Sequence, residues 1–288
     1  MKQPKKMHIA VIEGNHEALV DRAPDGTITG SITGAAEGFA KVLGELQEGL
    51  SFSIYRPHFE GFDLGHVDFS DCDGVVFTGS ANHWSADDPL AAPARATMEK
   101  AFHSGTPVFG SCYGLQLAVA VLGGQNRANP EKTEFAIARG ITLNQAGRDH
   151  PLYLGKPDFF DARAMHRDEI AILPQGAISL ASNQHSAHQA MVYEDATMRF
   201  WGVQYHPELS FSDLAHYMIR NEVSGFSDAK AFARDLGIDA DLNEIIADFV
   251  SLDEGVSVAL QDKYALTDSV INPVIHRGEL VNFLNSLA

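Results

Sequence analysis

Residues 108–114 read Val-Phe-Gly-Ser-Cys-Tyr-Gly, and the rest of the chain is best understood around them. Pro107, Val108 and Phe109 form a short apolar run ending at Gly110. Residues 115–122 then continue as an apolar helix halted by Gly123 and Gly124. Strand, sharp turn and helix in that order make a nucleophile elbow, with Cys112 where many hydrolases carry serine. The flanking glycines are expected to let the backbone turn tightly and to leave the side chain exposed at the tip. At a helix N-terminus the backbone N–H groups and the helix dipole favour a thiolate. From this stretch alone, a small cysteine packed in the core reads equally well.

A second stretch weighs against the packed cysteine. Residues 199–208 read Arg-Phe-Trp-Gly-Val-Gln-Tyr-His-Pro-Glu, an apolar strand ending in His-Pro-Glu. A thiol nucleophile needs an imidazole to take its proton, and the imidazole needs an acceptor to fix its tautomer. His206 and Glu208 supply both from one loop. Pro207 between them is rigid, and a spacing of two residues places both side chains on one side. Cys112 lies far from this pair along the chain, so the site would be assembled by folding.

Residues 110–116 (Gly-Ser-Cys-Tyr-Gly-Leu-Gln) and 204–208 (Gln-Tyr-His-Pro-Glu) resemble the two signature segments of the class I, or triad, glutamine amidotransferases. Residues 74–80 are similar to the strand and glycine loop that supply part of that family's oxyanion hole. Asp87-Asp88-Pro89 and residues 164–169 (Ala-Met-His-Arg-Asp-Glu) resemble the free-standing branch that is similar to the amidotransferase domain of GMP synthetase. The likeness spans residues 7–210. It implies an α/β, flavodoxin-like, mostly parallel sheet flanked by helices. It also implies a reaction in which Cys112 attacks the side-chain amide of glutamine. The Tyr113 N–H and an N–H from the Gly79-Ser80 loop would hold the oxyanion. His206, oriented by Glu208, would pass the thiol proton to the departing ammonia and then activate water to release glutamate. Gln116 would help bind the amino-acid end of the substrate, although a glutamine on a helix surface reads similarly. Leu115 replaces a histidine common in this branch, and Ala136 stands where glycine is frequent.

The 288 residues carry 21 Lys and Arg against 38 Asp and Glu, a formal charge of −17. That balance disfavours a phosphate-backbone partner, so no nucleic acid is expected. With only Cys72 and Cys112, no disulfide framework is possible, and a reducing compartment suits a working thiol. The apolar stretch at residues 7–12 is too short for a signal segment, and no run approaches a membrane span. A cytoplasmic protein without cofactor or metal is expected.

Along the chain, apolar patterning predicts strands at 7–13, 52–55, 75–78 and 106–110, and helices at 35–46, 93–103 and 115–122. Residues 126–134 are polar and predict a loop. Residues 135–143, 159–165, 177–182, 190–193 and 200–204 predict further strands, added antiparallel at one side. The domain would occupy residues 1–210, with a helical C-terminal extension over 211–288. Helices are expected at 211–220, 228–236 and 242–252, the last capped by Asp241, with a break at Asn272-Pro273. A cap, a partner surface or a contact between copies in a homo-oligomer are the readings of this extension.

Other residues invite roles. His166, Asp168 and Glu169 in a polar loop would line the acceptor side or simply face solvent. His83 and Trp84 read as an ordinary loop or the mouth of a pocket. His16-Glu17, Glu131 and Glu134 stay ambiguous. His185 and His188 lack a third ligand nearby, which argues against zinc. The leading function is glutamine hydrolysis supplying ammonia to a synthetase. The chain shows no P-loop, so a synthetase would be a separate subunit. A stand-alone hydrolase of γ-glutamyl compounds is the alternative, and a binding module with little turnover is the third reading.

Overall fold

Strict alternation in the first strand already sets up two layers: Ile9 and Val11 pack into one core, Ala10 and Ile12 into another. The computed structural model describes residues 6–20, 34–219 and 225–288. Its strands are β1 (His8–Ile12), β2 (Ser51–Tyr55), β3 (Gly74–Phe77), β4 (Val108–Ser111), β5 (Gln125–Ala128), β6 (Glu134–Leu143), β7 (Phe159–His166), β8 (Asp168–Ile172), β9 (Ile178–Ser182), β10 (Ala190–Glu194) and β11 (Arg199–Val203). The helices are α1 (Ala35–Leu46), α2 (Ala92–Ser104), α3 (Tyr113–Val121), α4 (Gln145–Asp149), α5 (Phe211–Met218), α6 (Gly225–Asp235), α7 (Leu242–Glu254), α8 (Val258–Lys263), α9 (Asp268–Ile271), α10 (Pro273–His276) and α11 (Gly278–Asn285). Arg220, the expected end of the helix after the His-Pro-Glu loop, lies outside the described residues.

One nine-stranded sheet runs in the order β2-β1-β3-β4-β11-β10-β9-β6-β7. β2, β1, β3, β4 and β11 pair in parallel, and the remainder of the sheet is antiparallel. The expected mostly parallel half with antiparallel strands added at one side is therefore present. α2 and α3 cover one face through Met98, Phe102, Leu115 and Leu117. α1 covers the other through Phe39 and Leu43, and α11 joins it there through Leu280, Phe283 and Leu284. The Phe283 ring lies 5.4 Å from Phe109 and 6.1 Å from Trp201, so the last helix packs on the two central strands.

α5 to α9 form a third cluster over Phe135, Ile137 and Met165 at the antiparallel edge. Ser210 and Asp213 cap α5 reciprocally, and Asp241 caps α7. A buried ion pair ties α11 to the connection that precedes β7. Lys156 Nζ lies 2.5 Å from Glu279 Oε1, which also accepts from Tyr205 Oη at 2.5 Å.

Two expectations are corrected. Of the loop expected over residues 126–134, residues 126–128 belong instead to strand β5, which pairs antiparallel with β8, and Glu134 opens β6. The side chains of β5 are mostly exposed, so backbone pairing forms the strand without an apolar signature. His166, Asp168 and Glu169 are likewise not in a solvated loop. They end β7 and open β8, and all three are buried.

Candidate active site

The parallel strands β1, β3, β4 and β11 are neighbours, so their C-terminal ends meet at one edge, where open α/β sheets bind ligands. β4 ends at Ser111 and delivers Cys112. β11 ends at Val203 and leads into Gln204–Glu208. β3 leads into Gly79 and Ser80, and β1 into Gly14–His16. The Cys112 N–H donates to Val203 O at 2.8 Å, which pins the elbow to the strand that carries the histidine.

Cys112 has φ 48° and ψ −103° and precedes α3 directly. The turn's strain thus falls on the cysteine itself, not on the flanking glycines, whose role is close approach. A Cβ on Gly114 would lie 2.5 Å from Phe77 O, and one on Gly110 would lie 2.6 Å from Gly114 C. A non-glycine residue held in such backbone is costly and is typical of functional turns.

His206 Nδ1 and Glu208 Oε1 are 2.6 Å apart, and the same carboxylate oxygen accepts from Ser111 Oγ at 3.0 Å. The opposite ring nitrogen, His206 Nε2, is buried and without a hydrogen-bond partner. The Cys112 thiol donates to Met165 O at 3.6 Å. Contrary to the expectation of a side chain exposed at the tip of the turn, Cys112 is only 5% exposed, because the loops after the neighbouring strands close over it. His206 is 5% and Glu208 7% exposed, so the group is shielded from bulk water. Burial by itself lowers the His206 pKa, but the neighbouring Glu208 and Cys112 outweigh it and raise it well above the ordinary range. Gly79 sits between the partners: a Cβ there would lie 2.6 Å from His206 Cε1 and 3.7 Å from Cys112 Cβ.

The Gly79-Ser80 loop is held from β1. Asn15 Oδ1 accepts from the Ala81 N–H at 2.8 Å and from Ser80 Oγ at 3.3 Å. Asn82 Nδ2 donates to Gly14 O at 2.9 Å. Tyr113 opens α3, whose first intrahelical bond comes from the Gln116 N–H to Cys112 O, so the Tyr113 N–H has no partner within the helix. Glu13 anchors this corner by accepting from the Asn15 and Ala36 N–H groups. Burial pushes its carboxyl up to about 7.

A cleft of about 670 Å³ opens over Cys112. Ser80, Tyr113, Gln116, Met165, His166, Arg167 and Asp168 are among its walls. Gln116 Nε2 donates to Asp168 O at 3.2 Å and to Gln204 Oε1 at 3.3 Å, so this glutamine is a buried wall of the cleft and not a surface residue. His83 and Trp84 also border the cleft. His166 Nε2 lies 2.7 Å from Glu134 Oε2, and Asn183 and Gln189 donate to the same carboxylate. Glu169 turns away to Arg127 and Asn129. His185 stacks edgewise on His166, while His188 bonds Ser179 Oγ, so these two histidines have separate partners. No cluster of three metal-ligating side chains occurs among the described residues.

The structure therefore gathers Cys112, His206, Glu208, Gly79, Ser80, Tyr113 and Gln116 at one edge. Sequence reasoning missed Ser111, Asn15 and Met165, whose roles depend on neighbours distant in the chain. It also missed Tyr217 and Asp228, which bring the C-terminal helices to the cleft. Ala136 has φ 62° in β6, which explains glycine as the unstrained occupant of that position.

Residues 41–225 match the family model for glutamine amidotransferase class-I. A γ-glutamyl-L-1-hydroxyisopropylamide hydrolase from Pseudomonas sp is 34% identical over 74% of this chain and 72% of its own length. GMP synthase (glutamine-hydrolyzing) from Shewanella sediminis is 28% identical over 71% of this chain, but this chain spans only 38% of it. Among solved structures, a glutamine amidotransferase from Thermotoga maritima superposes with a TM-score of 0.60 at 15% identity, covering 98% of both chains. A glutamine amidotransferase from Methylobacillus flagellatus gives 0.58 at 20% identity, covering 97% of this chain and 93% of its own. No helix among the described residues is long and apolar enough to cross a membrane. With a family model matched over more than half its length, on a fold and a site of this arrangement, the chain belongs to the class I glutamine amidotransferase family.

Proposed function

We propose that the protein hydrolyses γ-glutamyl amides, glutamine included, through a γ-glutamyl thioester on Cys112. The observation that carries this is the buried, partnerless Nε2 of a Glu208-bound His206, set across Gly79 from a cysteine strained at a strand–helix elbow. Rotation of the thiol away from Met165 O would bring its proton to Nε2. The thiolate then adds to the amide carbon, and the oxyanion is held by the Tyr113 N–H and the Gly79-Ser80 loop. His206 returns the proton to the departing nitrogen. Water, deprotonated by the same ring, cleaves the thioester to glutamate and free thiol. Glu208 stabilises the imidazolium throughout. Arg167, Asp168 and Asp228, all in the lining of the cleft, offer charges of both signs for the zwitterionic end of the γ-glutamyl group.

The similarity to a γ-glutamyl amide hydrolase along most of both chains supports hydrolysis as the complete reaction. A second reading, ammonia delivery to a separate synthetase subunit, draws on the GMP synthase relatives. The test is release of glutamate and of amine from glutamine and from a series of γ-glutamyl amides, by wild type and by Cys112→Ala. Loss of more than about 10³-fold in Cys112→Ala is expected. Equal activity in both proteins overturns the proposal. Glutaminase turnover that rises sharply only when a synthetase is added would favour the second reading.

A further inference from the structure

Proton return fixes where the leaving nitrogen must stand: within reach of Nε2 of His206, a residue that does not line the γ-glutamyl cleft. A second, smaller cavity has His206 and Glu208 in its wall. The other surfaces are Ala35, Gly79, Ala81, Met165, Leu209 and Tyr217, together with Ser80. It adjoins the cleft at Ser80, Ala81, Met165 and Tyr217, residues that line both. Ammonia alone has no use for apolar walls here, whereas an alkyl group on the nitrogen would bury against them.

The charges around the cavity are equally informative. Among its described lining residues there is no lysine or arginine, and the one ionisable acid is the Glu208 carboxylate. An amine carrying its own carboxylate, as an amino acid does, would bring an anion out of water beside Glu208, where the one cation in the wall, the His206 imidazolium, is already held by that carboxylate. We infer that this cavity is a subsite for the departing amine and that the substrate class is γ-glutamyl amides of small, uncharged alkylamines, not γ-glutamyl amino acids. The inference rests on the γ-glutamyl reading of the cleft given above. The reaction balances as before: the amide C–N bond breaks, the His206 proton goes to nitrogen, and water supplies the oxygen of glutamate.

The test compares kcat/KM for three substrates: glutamine, γ-glutamylisopropylamide and γ-glutamylalanine. The last two differ by one methyl exchanged for a carboxylate. Each buried CH₂ or CH₃ is worth about fourfold, so the isopropylamide should exceed glutamine by at least about tenfold and γ-glutamylalanine by a larger factor. Ala35→Leu, which would fill the cavity from the start of α1, should lower the isopropylamide-to-glutamine ratio by about tenfold. N-isopropylacetamide, an uncharged stand-in for the scissile end, should also inhibit glutamine hydrolysis where N-acetylalanine does not, a reading that needs no variant and stands if Ala35→Leu fails to fold.

Glutamine turnover with no advantage for the isopropylamide overturns the subsite and leaves the proposed hydrolysis intact. Equal use of γ-glutamylalanine overturns the uncharged amine. A folded Ala35→Leu protein with an unchanged ratio overturns the location. Failure of all three substrates instead removes the γ-glutamyl reading itself.

Discussion

Gly79→Ala is the most informative single perturbation, because it adds one methyl between His206 and Cys112 and removes no polar group. The new Cβ would lie 2.6 Å from His206 Cε1 and 3.4 Å from Nδ1. Ordinary contact begins near 3.4 Å, so the ring must retreat by about 0.8 Å, at the expense of its 2.6 Å bond to Glu208. Displacements of that size at a reacting group cost about 10²-fold in kcat, equivalent to about 2.7 kcal/mol of transition-state stabilisation. The backbone N–H groups of the loop remain, and Gln116 and Arg167 are untouched, so KM should change by less than about threefold. Overpacking of this kind costs about 1–3 kcal/mol of stability, which a thermal melt separates from the catalytic loss. Gly278→Ala is the matching control, since no atom lies within 4 Å of a Cβ there. The assay is steady-state glutamate release from glutamine and from a γ-glutamyl amide. A folded Gly79→Ala protein with kcat within threefold of wild type would refute the placement of His206 as the proton carrier.

Glu208→Gln should reduce kcat by about 10²–10⁴-fold, because the carboxylate fixes the tautomer and supports the imidazolium. Removing that charge should also move the His206 titration to lower pH, followed by NMR of the ring protons. The folded His206 pKa lies above its unfolded value of about 6.5, so its stabilising contribution is complete below that pH and is lost as pH rises through the folded pKa. A denaturant series across pH should find this slope in wild type and a flatter one in Glu208→Gln. Ala136→Gly relieves a left-handed alanine and should raise stability by about 1 kcal/mol in urea unfolding. Glu279→Ala strands the buried Lys156 ammonium and should cost about 3–5 kcal/mol, whereas replacing both residues by apolar ones should cost much less.

The elbow and the His-Pro-Glu loop were legible in the sequence because each joins a reactive residue to its own local turn chemistry. The parallel half of the sheet was legible for a similar reason: its strands are short apolar runs separated by amphipathic helices. The polar strand β5 was not, since Gln125–Ala128 is held by backbone pairing with β8 and carries no buried stripe. His166 and Asp168 read as a loop because burial of polar groups depends on partners such as Glu134, met only after folding. Helix α11 reads as one amphipathic helix among several, and nothing local says that Phe283 would settle on Phe109. The strain at Cys112 was equally hidden: the pattern points to its glycine neighbours, and only the backbone reveals which residue carries the positive φ.

Acid quenching during turnover of a γ-glutamyl amide, followed by mass spectrometry of the digested protein, reads the covalent step without any substitution. One γ-glutamyl group on Cys112, removable by hydroxylamine and absent without substrate, is the expected result. Active turnover with the label on another residue would contradict the assignment of this sulfur as the nucleophile.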